Sequence, residues 1–184
     1  MQAAAAPLHG LAPLARPGAR LLVLGSMPGA ASLQARQYYA HPRNAFWPII
    51  ESLWGIPRAL PYEARTRAVT AAGIAVWDVL ASCRRRTSLD AHIEPDSVVA
   101  NDFAGFFHGH RHVALIAFNG GSAAALYRRH VLPTLPEALQ QLPCLRLPST
   151  SPAHAGLSMQ AKLDAWSALR RHSDPAGHGE RPAG

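Results

Sequence analysis

"RLLVLGSMPG", Arg20 to Gly29, decides the fold. Leu21 to Leu24 form an unbroken apolar run that closes on Gly25, and a Gly/Pro loop follows. A continuous run, unlike an alternating one, marks a strand covered on both faces. Three more apolar runs have the same character: "IAVWDVL" (74–80), "HVALIAFNGG" (112–121) and "CLRLPSTSPAH" (144–154). Helix-like stretches lie between them. "NAFWPIIESLW" (44–54) has helical spacing if Pro48 falls in its first turn. "YEARTRAVTAAG" (62–73) stops at Gly73, and "DSVVANDFAGFFHG" (96–109) runs from an Asp96 cap to Gly109. "SAAALYRRHV" (122–131) and "SMQAKLDAWSALRRH" (158–172) open on Ser122 and Ser158. Strands alternating with helices predict an α/β fold, a three-layer αβα sandwich around a mostly parallel four-stranded sheet. One domain over 1–172 and a disordered tail over 173–184 are expected.

Composition narrows the class. Hydrophobic residues make up 48% of the 184, enough for a real core. No run is long and apolar enough for a membrane span. The Ala-rich start lacks a basic segment, so no secretory signal is expected. The two cysteines, Cys83 and Cys144, form no CxxC and suit a reducing cytoplasm. The formal net charge is +7, almost all of the positive charge is Arg, and Lys162 is the only lysine. A GC-rich coding bias accounts for part of this, but the charge also points to a polyanionic partner.

In such folds ligands bind beyond the carboxyl ends of the strands. Four loops should therefore converge on one crevice: GSMPG, "ASCRRRTSLD", "FNGG" and "PSTSPAHAG". GSMPG is neither GxGxxG nor a Walker A motif, so dinucleotide and P-loop NTPase readings are weak. Its glycines, Gly25 and Gly29, with Pro28, let backbone approach a ligand. "QYYAHPRNAFW" clusters Tyr38, Tyr39, Phe46 and Trp47, as for stacking on an unpaired base; Trp47 also suits the core, and Asn44 a helix cap. Asp78 stands inside an apolar strand, where a carboxylate costs several kcal/mol unless paired. Arg84, Arg85 and Arg86 suit a phosphate backbone, and Ser149, Thr150, Ser151 and His154 are hydrogen-bond donors fit for a phosphate. No G-x-S-x-G elbow supports a serine hydrolase. "HGHRH" (108–112) is the only histidine cluster with ligand-like spacing, and no functional metal is expected.

These residues carry a resemblance. The strand ending in GSMPG, then Tyr38-Tyr39-Ala40-His41-Pro42-Arg43-Asn44-Ala45-Phe46-Trp47, resembles the uracil-DNA glycosylase superfamily. Its HPxNxFW element is similar to the mismatch-specific uracil/thymine branch, and Ser149-Thr150-Ser151-Pro152 to the superfamily's second motif. With Trp77-Asp78-Val79 and Phe118-Asn119-Gly120, the chain looks most like the hypoxanthine-DNA glycosylase (DNA-deoxyinosine glycosylase) branch over residues 8–172. It departs from the superfamily twice. Met27 stands where an Asp or Asn usually positions water, and Ser149 where a His often stabilises the departing base.

The resemblance implies a DNA glycosylase of base excision repair that needs no cofactor. Its substrate would be double-stranded DNA with deaminated or mismatched bases, hypoxanthine or uracil, and a cytoplasmic monomer is expected. Catalysis then falls to Asn44 and Asn119. Met27, Tyr39, Phe46 and Asp78 would line the base pocket. Gly25, Ser26, Pro28, Gly29, Ser149, Ser151, His154, Arg84 and Arg85 would meet the DNA backbone. Asp78 could accept from the base if ionised or donate to it if protonated. Strand cleavage needs an amine, and Lys162 sits in the closing helix, so a monofunctional enzyme is expected. Two other readings stay open: a non-catalytic DNA-binding module of the same fold, and a small-molecule α/β hydrolase.

Overall fold

The structure is a computed structural model that describes residues 6–173. The strands are β1 (Leu8–His9), β2 (Leu21–Gly25), β3 (Ile74–Asp78), β4 (Leu80–Cys83), β5 (Val99–Ala100), β6 (Leu115–Asn119) and β7 (Cys144–Leu147). The helices are α1 (Ala30–Ala35), α2 (Phe46–Trp54), α3 (Tyr62–Ala71), α4 (Phe103–Gly109), α5 (Gly121–His130), α6 (Glu137–Gln140), α7 (Met159–Trp166) and α8 (Arg170–Ser173). The main sheet has the order β3-β2-β6-β7 and every pairing in it is parallel. β2 feeds β3 on one side, and the chain then crosses to β6 on the other. The switch point lies between β2 and β6, where the loops after them part.

The period of two along each strand sorts the two faces. Leu24, Trp77 and Phe118 are register partners on one face. There Trp77 meets Phe103 of α4 at 5.0 Å between ring centroids, and Phe118 meets Tyr127 of α5 at 5.2 Å. Gly25 and Asp78 are partners on the opposite face, and Asn119, next after Phe118 on β6, shares it. α2 and α7 cover that side, where Phe46 and Trp166 pack edge to face, both fully buried. Each large side chain so buried contributes ~1.5–3 kcal/mol through the area it removes from water. Three layers result, as expected from the alternating runs.

Four details differ from the sequence expectation. The run 74–80 does not continue as one strand: β3 stops at Asp78, and β4 leaves the main sheet. It joins a second, antiparallel sheet of order β1-β4-β5. The helix expected from Asp96 begins later. Val99 and Ala100 pair with β4, and Asp102 caps α4 by accepting from Gly105 N at 2.9 Å. Two Asp residues six apart offered the same cap, and the β-branched pair Val98-Val99 favours the strand. α5 starts at Gly121, so Ser122 does not cap it; Ser158 does cap α7, accepting from Ala161 N at 3.1 Å. The domain extends past 172: Ser173 is buried and its Oγ accepts from Trp54 Nε1 at 2.9 Å. The rest of the expected tail, 174–184, lies outside the described residues.

The N-terminal segment covers one edge of the main sheet. Leu14 exchanges both backbone hydrogen bonds with Val76, at 2.9 and 2.8 Å, so β3 presents no free edge there. No described helix is long and apolar enough to cross a membrane.

Candidate active site

The strand-end loops meet around one cleft of about 1100 Å³. GSMPG, the HPRN element, the 88–91 turn, the loop after β6 and the segment from Arg146 to His154 all line it. Backbone and side-chain bonds tie these loops together. Ala45 N donates to Thr150 O at 2.9 Å, joining the HPRN element to the last loop. Trp166 Nε1 donates to Pro148 O at 3.0 Å, and Lys162 Nζ to His154 O at 2.9 Å. Lys162 is buried, and burial pushes its ammonium pKa down. It lies behind the cleft, holding a wall in place.

The loop after β6 turns sharply at Gly120, whose φ of 103° is open to glycine and strained for any other residue. A Cβ there would also sit 3.0 Å from Ser149 Cβ. This turn aims Asn119 at Thr150. The Asn119 amide donates to Thr150 Oγ1 and accepts from Thr150 N, both at 2.8 Å. Asn119 lines the cleft; both ends of its amide help fasten the loop, and the second Nδ2 hydrogen is not used by Thr150.

Asn44 is half-buried on the cleft wall, and its Oδ1 accepts from Phe46 N at 2.9 Å at the start of α2. The cap and the cleft position coexist: capping engages Oδ1, and Nδ2 has no protein partner among the described residues. Tyr39 also lines the cleft. Its φ of 55° is rare for a bulky side chain and costs on the order of 1–3 kcal/mol. Packing holds it there: its ring stacks on Phe46 at 4.0 Å. Phe46 itself does not line the cleft and is fully buried, so it backs the wall that Tyr39 presents.

Asp78, Gly25 and Asn119 form a row across three adjacent strands at their carboxyl ends. Gly25 is the gap in that row. A Cβ on it would fall 2.4 Å from Asp78 Oδ1 and 3.4 Å from the Tyr39 hydroxyl. The missing side chain leaves a slot into which both oxygens reach. Asp78 Oδ2 and Tyr39 Oη are buried, and neither has a hydrogen-bond partner. Burial, with the nearby Asp90 carboxylate, pushes the Asp78 carboxyl up to about 7, against the pull of Arg85. Burial also raises the Tyr39 phenol, so it stays protonated.

The arginine triplet is placed differently from the sequence expectation. Arg84 pairs with Glu94 at 2.9 Å, away from the cleft. Arg85 is buried: Nη2 donates to Pro28 O, and Nη1 lies 3.8 Å from Asp90 Oδ1. It braces the GSMPG loop from beneath and is not free to reach a phosphate. Ser26 is likewise engaged, donating to Asp90 Oδ2 at 2.7 Å. Gly25, Met27, Pro28, Gly29, Ser149, Ser151 and His154 all line the cleft as expected from their loops. The cations on its walls are instead Arg43 and Arg146, both exposed, flanked by His41 and His154.

Asp90, Arg43 and Arg146 were missed. Arg146 had a signal, as the one charge inside the apolar run "CLRL". Asp90 had none, because its place depends on how the 84–98 excursion folds back. Among the described residues no three His, Cys, Asp or Glu side chains gather as a metal site. His110 of the HGHRH cluster stacks on Phe106 at 4.3 Å.

The strand-end loops of this parallel αβα sandwich enclose a cleft with an aromatic wall and a cationic rim, and the chain's relatives identify its class as a DNA N-glycosylase. The chain belongs to the Uracil DNA glycosylase superfamily, whose profile matches residues 12–170. Two curated relatives are named hypoxanthine DNA glycosylase. The Methanosarcina acetivorans protein is 29% identical over 161 residues, 83% of this chain and 90% of its own. That of Methanosarcina barkeri is 31% identical over 113 residues, 61% and 70% of the two chains. The solution NMR structure of a Methanosarcina acetivorans protein, offered as a candidate uracil DNA glycosylase, superposes with a TM-score of 0.75 at 28% identity. That match covers 91% of this chain and 99% of the other.

Proposed function

We propose that the enzyme removes hypoxanthine, and uracil as a second substrate, from double-stranded DNA, leaving an abasic site. The observation that carries this is the slot at Gly25: two unpartnered polar groups, Asp78 and Tyr39, at the bottom of a cleft rimmed by arginine. Neither group is reachable by a base inside a duplex, so the nucleotide must be extruded. Unstacking costs a few kcal/mol, least for a mispaired base. Arg43 and Arg146 hold the flanking phosphates, a contact that positions without reading sequence. Tyr39 gives the flat base a stacking face. Asn44, fixed by its cap, offers Nδ2 to the attacking water or the sugar as positive charge develops. The names of the Methanosarcina relatives support hypoxanthine as the base.

The test is a panel of duplexes carrying inosine, uracil or xanthine, scored for alkali-labile abasic product. Wild-type protein should excise from the inosine duplex. Asn44→Ala should lower single-turnover excision by about 100-fold or more, within the range for a lost oriented group. Full activity in that variant would remove Asn44 from the reaction. Binding without product on every duplex would instead favour a non-catalytic damage-binding module.

A second expectation concerns the reaction's end point. A covalent intermediate needs an unprotonated amine at the sugar, and Lys162 is spent on the His154 carbonyl. Borohydride added during turnover should therefore trap no protein–DNA adduct. An adduct that disappears in Lys162→Met would show a lyase.

A further inference from the structure

A base leaving deoxyribose carries away the electron pair of the glycosidic bond and needs a proton or a strong donor. Neither of the groups expected to serve it is an acid. Ser149, an alcohol, stands where a histidine would, and Asn119 is an amide that already gives one N–H to Thr150 Oγ1; both can donate a hydrogen bond but neither can part with a proton. The Tyr39 hydroxyl and the Asp78 carboxyl remain, side by side at the Gly25 slot.

We propose that Asp78, in its neutral form, is the general acid that protonates the departing base. This rests on the proposed glycosylase reaction and names the residue that serves its leaving group. The geometry is that of a donor kept for a ligand. Asp78 is 4% exposed and lines the cleft; its Oδ1 meets the Gly25 slot, and its Oδ2 is buried without a partner. An ionised carboxylate so placed costs several kcal/mol, and the neutral acid avoids that cost. The ionisable groups around it agree. Tyr38 and Tyr39 on the α2 side are phenols that burial keeps protonated. From the 84–92 segment come Asp90, which disfavours a second negative charge, and Arg85, which favours one. Arg85 is turned to Pro28 O and lies within ion-pair reach of Asp90, not of Asp78. The two carboxyls thus sit in different settings: Ser26 and Arg85 favour the ionised form of Asp90 against its burial, whereas Asp78 has no such partner at the slot.

The proton balance closes. The C1′–N9 bond of the purine nucleotide breaks and its electron pair stays on the base. The Asp78 proton goes to a ring nitrogen of that base, and water adds its oxygen to C1′. The proton the water loses returns through solvent to the Asp78 carboxylate. The sum is one water divided between sugar and base.

Single-turnover excision from an inosine duplex, followed from about pH 5.5 to about pH 9, tests the assignment. The wild-type rate should be level at low pH and fall roughly tenfold per pH unit above about 7. Asp78→Asn should lose about 100-fold or more at low pH and show no such fall. Asp90→Asn removes the neighbouring charge, so its fall should begin at lower pH, a shift that a merely structural Asp78 would not produce. A wild-type rate that is level or rises from about pH 6 to about pH 9 would sink the assignment, whether or not Asp78→Asn folds. So would an Asp78→Asn rate within about threefold of wild type at low pH. If the wild-type protein excises no base, the proposed function falls and this acid with it. An active enzyme with the wrong profile sinks the acid alone.

Discussion

Gly25→Ala is expected to abolish excision, by about 10³-fold or more, while costing roughly 1–3 kcal/mol of stability. The cause is one methyl group. Its carbon would lie 2.4 Å from Asp78 Oδ1, inside any allowed contact, and 3.4 Å from the Tyr39 hydroxyl. Asp78 is short and buried, so its carboxyl has little room to swing aside. Gly25 cannot retreat either. It is paired to β3 opposite Asp78, and its carbonyl accepts from Val79 N at 2.9 Å. The strain therefore falls on the carboxyl and the phenol, the two groups left free in the slot. Affinity for an inosine duplex should change by less than about tenfold, because the proposed phosphate contacts are made by the exposed Arg43 and Arg146, whereas the methyl would lie at the buried slot. Excision and binding measured on the same preparation separate the two effects. Wild-type excision by Gly25→Ala would mean that the slot is not where the base reacts.

Much of this was legible in the sequence because the main-sheet strands announce themselves. "RLLVLG" and "HVALIAFNGG" are apolar on both sides, and that needs helices on both faces. The order of the loops then placed GSMPG, Asn119 and the 149–154 segment on one end of the sheet. What stayed hidden needed side-chain direction. "CRRRTSLD" reads as a basic loop, yet Arg85 turns inward to Pro28 O and brings Asp90 to the cleft. Nothing local distinguishes Arg85 from its neighbours; its role follows from a pairing of β4 with β1 and β5 across the chain. Phe46 misled for the same reason. Its spacing put it near the site, and only the stacking order shows Tyr39 in front and Phe46 behind. The glycine at 25 was read as allowing close backbone approach. In the structure it admits two side chains.

The second large effect is a pH dependence of stability set by Asp78. An unfolded chain ionises this carboxyl near 3.8, and the folded protein near 7. Below about 4 it is protonated in both states and contributes no slope. Between about 4 and about 7 the folded protein holds a proton that the unfolded chain has released, so unfolding becomes easier as pH rises. Above about 7 both states are ionised and the full cost stands, on the order of 4 kcal/mol for that separation. Asp90, also raised by burial, adds in the same direction. The unfolding free energy in urea should therefore fall from about pH 5 to about pH 8, where many proteins hold level. Asp78→Asn cannot ionise and fills the same volume. It should lose most of this slope and be more stable than wild type at about pH 8, while excising poorly. The pairing of those two results matters more than either alone. A residue kept only for packing would lose stability when replaced. One kept for its proton should gain stability and lose the reaction. Equal slopes in the two proteins would show that Asp78 ionises normally, and would remove the basis for its role as an acid.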